Sequence, residues 1–261
     1  MDLGISQKTA LVLGGGGGLG SAIALAFAKE GANVVVADVN DDAIKSTCAQ
    51  IDKLGVKTLG LNWDISDLSL VEEKISQIEQ SIGSVDILIN ITGGPAPTPA
   101  AGQSPEVWEK NFKLMVLSVI AISDRVLPGM KAKGWGRIVT STSSGVVSPI
   151  PNLGISNSLR MSLLGWSKTL AREVARDGIT ANVIVPGRVA TGRIKFLDEQ
   201  KAKREGRSVE DVAKESTSSI PVGRYGEPEE YANAVVFLGS SAASYITGSV
   251  MRVDGGLIAS V

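Results

Sequence analysis

Three glycines and one carboxylate are the first residues along this chain whose types and spacing suggest chemistry. Gly14, Gly18 and Gly20 follow the apolar run Thr9-Ala10-Leu11-Val12-Leu13 and precede Ala22-Ile23-Ala24-Leu25-Ala26-Phe27. Glycines at a strand-to-helix junction let the backbone turn tightly and approach a diphosphate, whose charge meets the helix N-terminus. Asp38 closes a second apolar run, Val34-Val35-Val36-Ala37. A carboxylate there accepts hydrogen bonds from the adenosine ribose hydroxyls and repels a 2′-phosphate. Capping of the following helix is the competing reading of Asp38. A glycine run alone also marks ordinary tight turns, but strand, glycines, helix and acid together point to a dinucleotide. Residues 14–20 hold no arginine or lysine to receive a 2′-phosphate, so these residues read as a site for NAD rather than NADP.

Far downstream, residues 155–159 read Ile-Ser-Asn-Ser-Leu, with Ser143 before them and Arg160 directly after. The only hydroxyls in that segment belong to serines. Histidine is absent from all 261 residues, which removes the Ser-His-Asp hydrolases, the Cys-His proteases and histidine metal cages. Imidazole acid–base catalysis goes with them, and no metal is expected. A net charge of −1 gives no footprint for nucleic acid or an anionic membrane. The one cysteine, Cys48, has no internal disulfide partner and suits a reducing cytosol. Met1-Asp2-Leu3-Gly4 lacks the basic and apolar regions of a secretory signal. No uninterrupted apolar run reaches membrane-spanning length. The expectation is a cytoplasmic protein acting on a small molecule.

These residues need a scaffold, and the chain supplies a regular one. Strand-like runs occur at 9–13, 33–38, 57–62, 85–90, 136–141, 180–185 and 248–253. Helical patterns lie near 19–30, 41–54, 67–82, 105–132, 152–176 and 227–240. Such alternation predicts a parallel sheet covered on both faces. Ser104-Pro105 offers a cap and a first-turn proline, and Gly31, Gly55, Gly83 and Gly178 fall where helices should end. No linker or internal repeat appears, so residues 1–261 read as one domain. Residues 93–99 must be a loop. Residues 192–220 are densely charged, with Gly206 dividing two helical patterns and Ser208-Val209-Glu210-Asp211 resembling a capping signal. An insertion of that length reads as a lid.

The spacing Gly-x-x-x-Gly-x-Gly resembles the short-chain dehydrogenase/reductase family, specifically its ketoacyl-reductase-like branch, over nearly the whole chain. Asp64, in Asn62-Trp63-Asp64-Ile65-Ser66, matches that family's adenine-contacting acid, and Asn90-Ile91-Thr92-Gly93 its turn after strand four. Pro186-Gly187 with Thr191 matches its nicotinamide carboxamide segment. Residues 220–224, 245–248 and 253–256 resemble its C-terminal landmarks. The helices near 105–132 and 152–176 carry more apolar surface than one sheet face can cover, which makes Leu159, Leu163, Leu164 and Trp166 expected interface residues. The resemblance implies a Rossmann-type, doubly wound α/β fold with a seven-stranded parallel sheet, assembled as a homotetramer. It implies a cofactor set of Gly14, Gly18, Leu19, Gly20, Asp38, Asp64, Ile65, Asn90, Arg160, Pro186, Gly187 and Thr191.

The family's catalytic serine falls on Ser143, its tyrosine on Ser156, its lysine on Arg160 and its asparagine on Met115. The family's tyrosine exchanges a proton with the substrate oxygen while hydride moves, and its lysine holds the nicotinamide ribose and lowers the tyrosine pKa. Serine is a far poorer acid than a phenol, and arginine keeps its proton. Ser143, Ser156 and Arg160 are the catalytic candidates, with Arg160 also keeping the ribose contact. Arg160 or Arg188 would stabilise a developing oxyanion while water delivers the proton. The other serines of 141–144 read as strand-end capping, and Arg188 either as an anion-binding residue or as a solvated loop arginine. Tyr225, Tyr231 and Tyr245 lie too far along the sequence to be expected at the site. Three functions stay open: an NAD-linked oxidoreductase with an altered site, an NAD-binding protein without turnover, and chemistry on this fold that leaves redox state unchanged.

Overall fold

Seven runs rich in valine, isoleucine and leucine form seven strands, all parallel, in a computed structural model that describes residues 2–261. They are β1 (Thr9–Leu13), β2 (Asn33–Asp38), β3 (Thr58–Asn62), β4 (Ile87–Asn90), β5 (Gly136–Ser141), β6 (Ile179–Pro186) and β7 (Val250–Val253). Their order across the sheet is β3-β2-β1-β4-β5-β6-β7. Leu11 sits in register between Val35 and Leu88, so the centre of the sheet is apolar on both sides, as burial under helices on both faces requires. The chain winds outward from β1 to β3, then returns to β4 and winds the other way. The reversal between β1 and β4 opens a crevice at the carboxyl ends of the strands.

The covering helices are α1 (Gly18–Lys29), α2 (Asp41–Ile51), α3 (Val71–Ser81), α4 (Pro105–Phe112), α5 (Ser118–Lys133), α6 (Gly154–Val174), α7 (Gly192–Glu205), α8 (Val209–Ser218) and α9 (Pro228–Leu238). One apolar cluster joins Phe27 of α1 and Val235 of α9 to β1 and β2 on one face. A second joins Ile75, Ile122 and Leu170 of α3, α5 and α6 to Leu11 and Leu88 on the other. Fold class and strand pattern therefore agree with the sequence reading.

The differences are local. The pattern at 105–132 is broken by one π-helical turn, Lys113–Leu117. There the Ser118 hydroxyl donates to Leu114 O at 2.5 Å, competing for a carbonyl of the helical ladder. Ser104 and Pro105 do open α4, although the serine side chain caps no backbone amide. Residues 192–220 form the hairpin α7–α8. Gly206 takes a positive φ of 62° between them, and Ser208 Oγ accepts from the Asp211 amide at 3.0 Å. Much of the charge there is internal, with Lys201 and Arg207 both pairing with Glu215.

The tightest backbone approach lies at the first strand-to-helix turn. A Cβ added at Gly20 would stand 2.0 Å from Gly14 O, a distance only glycine avoids. Gly20→Ala is therefore expected to lower stability by about 1–3 kcal/mol and to abolish dinucleotide binding. Gly192→Ala, at a position where nothing lies within 4 Å, should change stability by less than about 0.5 kcal/mol. Urea titrations of both variants check the contrast.

Candidate active site

Because all strands run one way, the loops that leave β1, β2, β4, β5 and β6 meet at one edge. They surround a cleft of about 1120 Å³. Helix α1 begins at Gly17, whose missing side chain leaves the first-turn amides without a protein cap. That is the cradle a diphosphate needs, and the residues present fit one. Thr191 closes over it from the β6 side, 3.0 Å from a Cβ built at Gly18.

Asp38 lines the cleft beside this cradle. Its Oδ2 accepts from the Gly16 amide at 3.1 Å, and its Oδ1 accepts from Val39 and Asn40 at 2.8 and 3.1 Å. It does not cap α2. Asn40 does, accepting from Asp42 and Ala43. Asp64 stands nearby, folded onto the Ser66 amide at 2.9 Å. No lysine or arginine belongs to this end of the lining, residues 14–20, 37–39 and 63–66.

At the other end, Ser143, Ser156 and Arg160 share the lining. Ser143 follows β5 with an extended backbone, and its Oγ accepts from the Gly145 amide at 3.2 Å. Ser156 and Arg160 are one turn apart on α6 and both buried. The Arg160 Nη2 donates to Thr92 O and Gly93 O at 3.0 and 3.1 Å, and Nη1 donates to Ser141 O at 3.4 Å. Burial, and then the nearby Arg193 charge, pull its pKa down to about 10.

Of the residues expected at the site, Gly14, Gly18, Leu19, Gly20, Asp38, Asp64, Ile65, Pro186, Gly187 and Thr191 line this cleft together with Ser143, Ser156 and Arg160. Asn90 does not. It is fully buried behind the wall, its amide donating to Thr140 Oγ1 at 3.3 Å. Arg188 lines the cleft, but Asp198 neutralises it at 3.1 Å. Met115 is buried with Val116, Val119 and Leu163. Leu163 is thus part of this chain's own core and not an interface residue.

Two features were not anticipated. Ser141, read as strand-end capping, holds the Tyr231 hydroxyl at 2.8 Å. Tyr231 itself is fully buried on α9, and burial pushes its pKa well up while Ser141 and Arg160 oppose the rise. A phenol therefore stands one hydroxyl behind the cleft wall, although no tyrosine lines the cleft. Tyr225 donates to Asp198 at 2.6 Å, and Tyr245 is exposed. The second feature is Arg193 on the first turn of α7, donating to Pro95 O at 2.8 Å. Both contacts span about ninety residues or more, so no local motif announces them.

Residues 15–258 match the family described as enoyl-(acyl carrier protein) reductase. A 3-oxoacyl-[acyl-carrier-protein] reductase of Buchnera aphidicola is 36% identical over 255 residues, covering 97% of this chain and 98% of that protein. The chain belongs to the short-chain dehydrogenase/reductase family. The solved L-sorbose reductase of Gluconobacter frateurii, complexed with NADPH and L-sorbose, superposes with a TM-score of 0.94 at 33% identity, covering all of both chains. A 7α-hydroxysteroid dehydrogenase, complexed with NADH and 7-oxo glycochenodeoxycholic acid, gives 0.87 at 30% identity, with 98% and 96% covered. The family is one of nicotinamide-dinucleotide oxidoreductases acting on small molecules, and within it this chain is ketoacyl-reductase-like in sequence. None of the described helices is long and apolar enough to cross a membrane.

The buried Tyr231–Ser141 bond gives a direct test of the wall behind the cleft. Tyr231→Phe and Ser141→Ala should each cost about 1–2 kcal/mol. The double variant should cost less than the two together, because one bond is lost once. Additive losses in denaturant titrations would mean that the bond contributes nothing.

Proposed function

We propose that this chain is an NAD(H)-dependent oxidoreductase for a carbonyl or alcohol substrate, in which Ser143, Ser156 and Arg160 serve where a tyrosine and lysine ordinarily act. The observation that carries the reading is the placement of these three residues on one cleft whose other end has the glycine cradle and Asp38. Bound there, the nicotinamide would supply or accept the hydride. The glycine turn would hold the diphosphate, and Asp38 and Asp64 the adenosine end. Pro186, Gly187 and Thr191 would flank the nicotinamide.

During reduction the carbonyl oxygen becomes an alkoxide. Ser143 and Ser156 would donate hydrogen bonds to that oxygen, and the Arg160 charge would favour the developing negative charge in a poorly hydrated setting. Water would deliver the proton. Arg188 drops out of this role, since Asp198 already holds it. Loss of a positioned acid typically costs a factor of about 10²–10⁴, so slow turnover of generic ketones is expected. The unpaired Cys48 on α2 supports a reducing cytoplasmic setting.

One observation favours the rival reading, nucleotide binding without turnover. Every side-chain hydrogen bond of Arg160 goes to a main-chain carbonyl, as a purely structural arginine would have it. NADH absorbance with a carbonyl panel separates the two readings, binding without oxidation of NADH supporting the rival. Ser156→Tyr combined with Arg160→Lys should raise ketone reduction above the natural chain. Met115→Asn does not belong in that set, because it would bury an amide in an apolar cluster.

Cofactor choice is tested separately. NADH should bind more tightly than NADPH in calorimetry, because Asp38 would face the added phosphate and no lysine or arginine belongs to that end of the lining. Asp38→Asn keeps an acceptor for the turn and should narrow the difference. Equal affinities for the natural chain would exclude the assignment.

We also propose a homotetramer. Phe112, Leu117 and Met161 expose apolar surface on α4, the π turn and α6, and Val250 does so on the edge strand β7. Leu159, Leu164 and Trp166 are half-buried on α6. Light scattering at micromolar concentration should give four times the chain mass, with Met161→Glu reducing it. A monomeric natural chain rules the assembly out.

A further inference from the structure

Six cations line the cleft, and three of the four that stand beside the α7 side are already met by carboxylates. Arg188 pairs with Asp198, Lys201 with Glu215 and Arg204 with Glu205. Arg160 and Arg193 have no carboxylate within ion-pair distance among the described residues. Yet they crowd each other. A Cβ built at Gly94 would stand 3.6 Å from the Nη2 of each. Arg160 comes from α6 and Arg193 from α7, so two separate elements bring two guanidinium groups to one point of the loop after β4. Burial lowers the pKa of both. Like charges brought together without a counter-charge and partly withdrawn from water are costly. They favour an anion at the point they share.

We propose that Arg160 and Arg193 form a carboxylate-binding subsite at the reactive end of the cleft, so that the substrate is an oxo acid or hydroxy acid rather than a neutral ketone or alcohol. This rests on the oxidoreductase reading above and adds the substrate class. Guanidinium groups suit the task because their planar forks match carboxylate oxygens. Ser143 and Ser156 lie on the same lining, so donors for the carboxylate share one cleft with hydroxyls for the reacting carbonyl. The Phe196 ring, 5.6 Å from the Arg193 guanidinium carbon, restricts that side chain without neutralising it. The subsite moves the anion-binding role from Arg188, which the sequence suggested, to Arg193, which it did not.

A second anion competes for these charges. Arg193 lies two residues beyond Thr191, which touches the glycine cradle, so the cofactor diphosphate is the alternative ligand. The test uses matched pairs, acetoacetate and levulinate against their methyl esters, at saturating NADH. The acids should be reduced with a kcat/KM about 10- to 100-fold above the esters, as one or two charge-assisted hydrogen bonds give. Arg193→Gln should bring that ratio close to one, and Arg193→Lys should restore part of it. An acid-to-ester ratio near one in the natural chain overturns the subsite and leaves the oxidoreductase reading intact. If Arg193→Gln weakens NADH binding in calorimetry while the ratio persists, the charge serves the diphosphate and the proposal fails.

If neither acids nor esters are reduced, binding of acetoacetate to the chain loaded with NAD decides. Arg193-dependent binding then upholds the subsite against the redox reading, and no such binding overturns it.

Discussion

A guanidinium buried without a carboxylate has to donate its hydrogen bonds to whatever oxygens surround it. Arg160 donates three to main-chain carbonyls, two in the loop after β4 and one at the end of β5. Those two strands are neighbours in the sheet, and between their ends lies the floor of the cleft. Arg160 therefore joins α6 to both strand ends at once, and the shape of the reactive wall depends on it. The same burial makes its charge potent, since no solvent shell screens it. One residue thus fixes the position of the loop that Arg193 also grips.

Charge along the cleft is divided accordingly. Asp38 and Asp64 mark the adenosine end, while arginines dominate the end that Ser143 and Ser156 share. The division follows from the parallel sheet. Each strand delivers its following loop to the same edge, so residues far apart in sequence become lining of one crevice. Helix α7 contributes in two ways. Its Lys201 is met by Glu215 of α8, and its first turn carries Arg193 into the cleft. The dense charge of residues 192–220 conceals one cation whose environment differs from the rest.

What could be read in the sequence and what could not divide along contact range. Strands, helix ends and the glycine cradle were legible because apolar period, glycine and the acid that ends β2 are local signals. The Ser208 cap and Gly206 break on the α7–α8 hairpin were legible for the same reason. The Tyr231–Ser141 bond and the Arg193–Pro95 contact were not, since nothing near either residue marks its partner. Asn90 shows the converse limit. A matching motif placed it in the cofactor set, but packing against Thr140 withdraws it from the lining. Leu163 fails similarly: apolar spacing on α6 cannot tell a residue facing the π turn from one facing outward.

The buried residues around Ser156 make the departures from the family pattern intelligible as a unit. A lysine ends in one compact ammonium and leaves room for a phenol whose proton it helps release. An arginine in its place fills the floor with a planar group that donates to three main-chain carbonyls, and supplies fixed charge rather than help with a proton. On the proposed reading, acid catalysis gives way to electrostatic stabilisation, for which a small hydroxyl suffices beside the charge. The phenol then becomes useful at a different position. At Tyr231 it is held away from substrate, its hydroxyl anchoring Ser141 and so the carbonyl that Arg160 binds. Ser156, Arg160, Ser141 and Tyr231 are in this sense one arrangement, in which the aromatic hydroxyl supports the wall and, on the proposed reading, the guanidinium faces the chemistry.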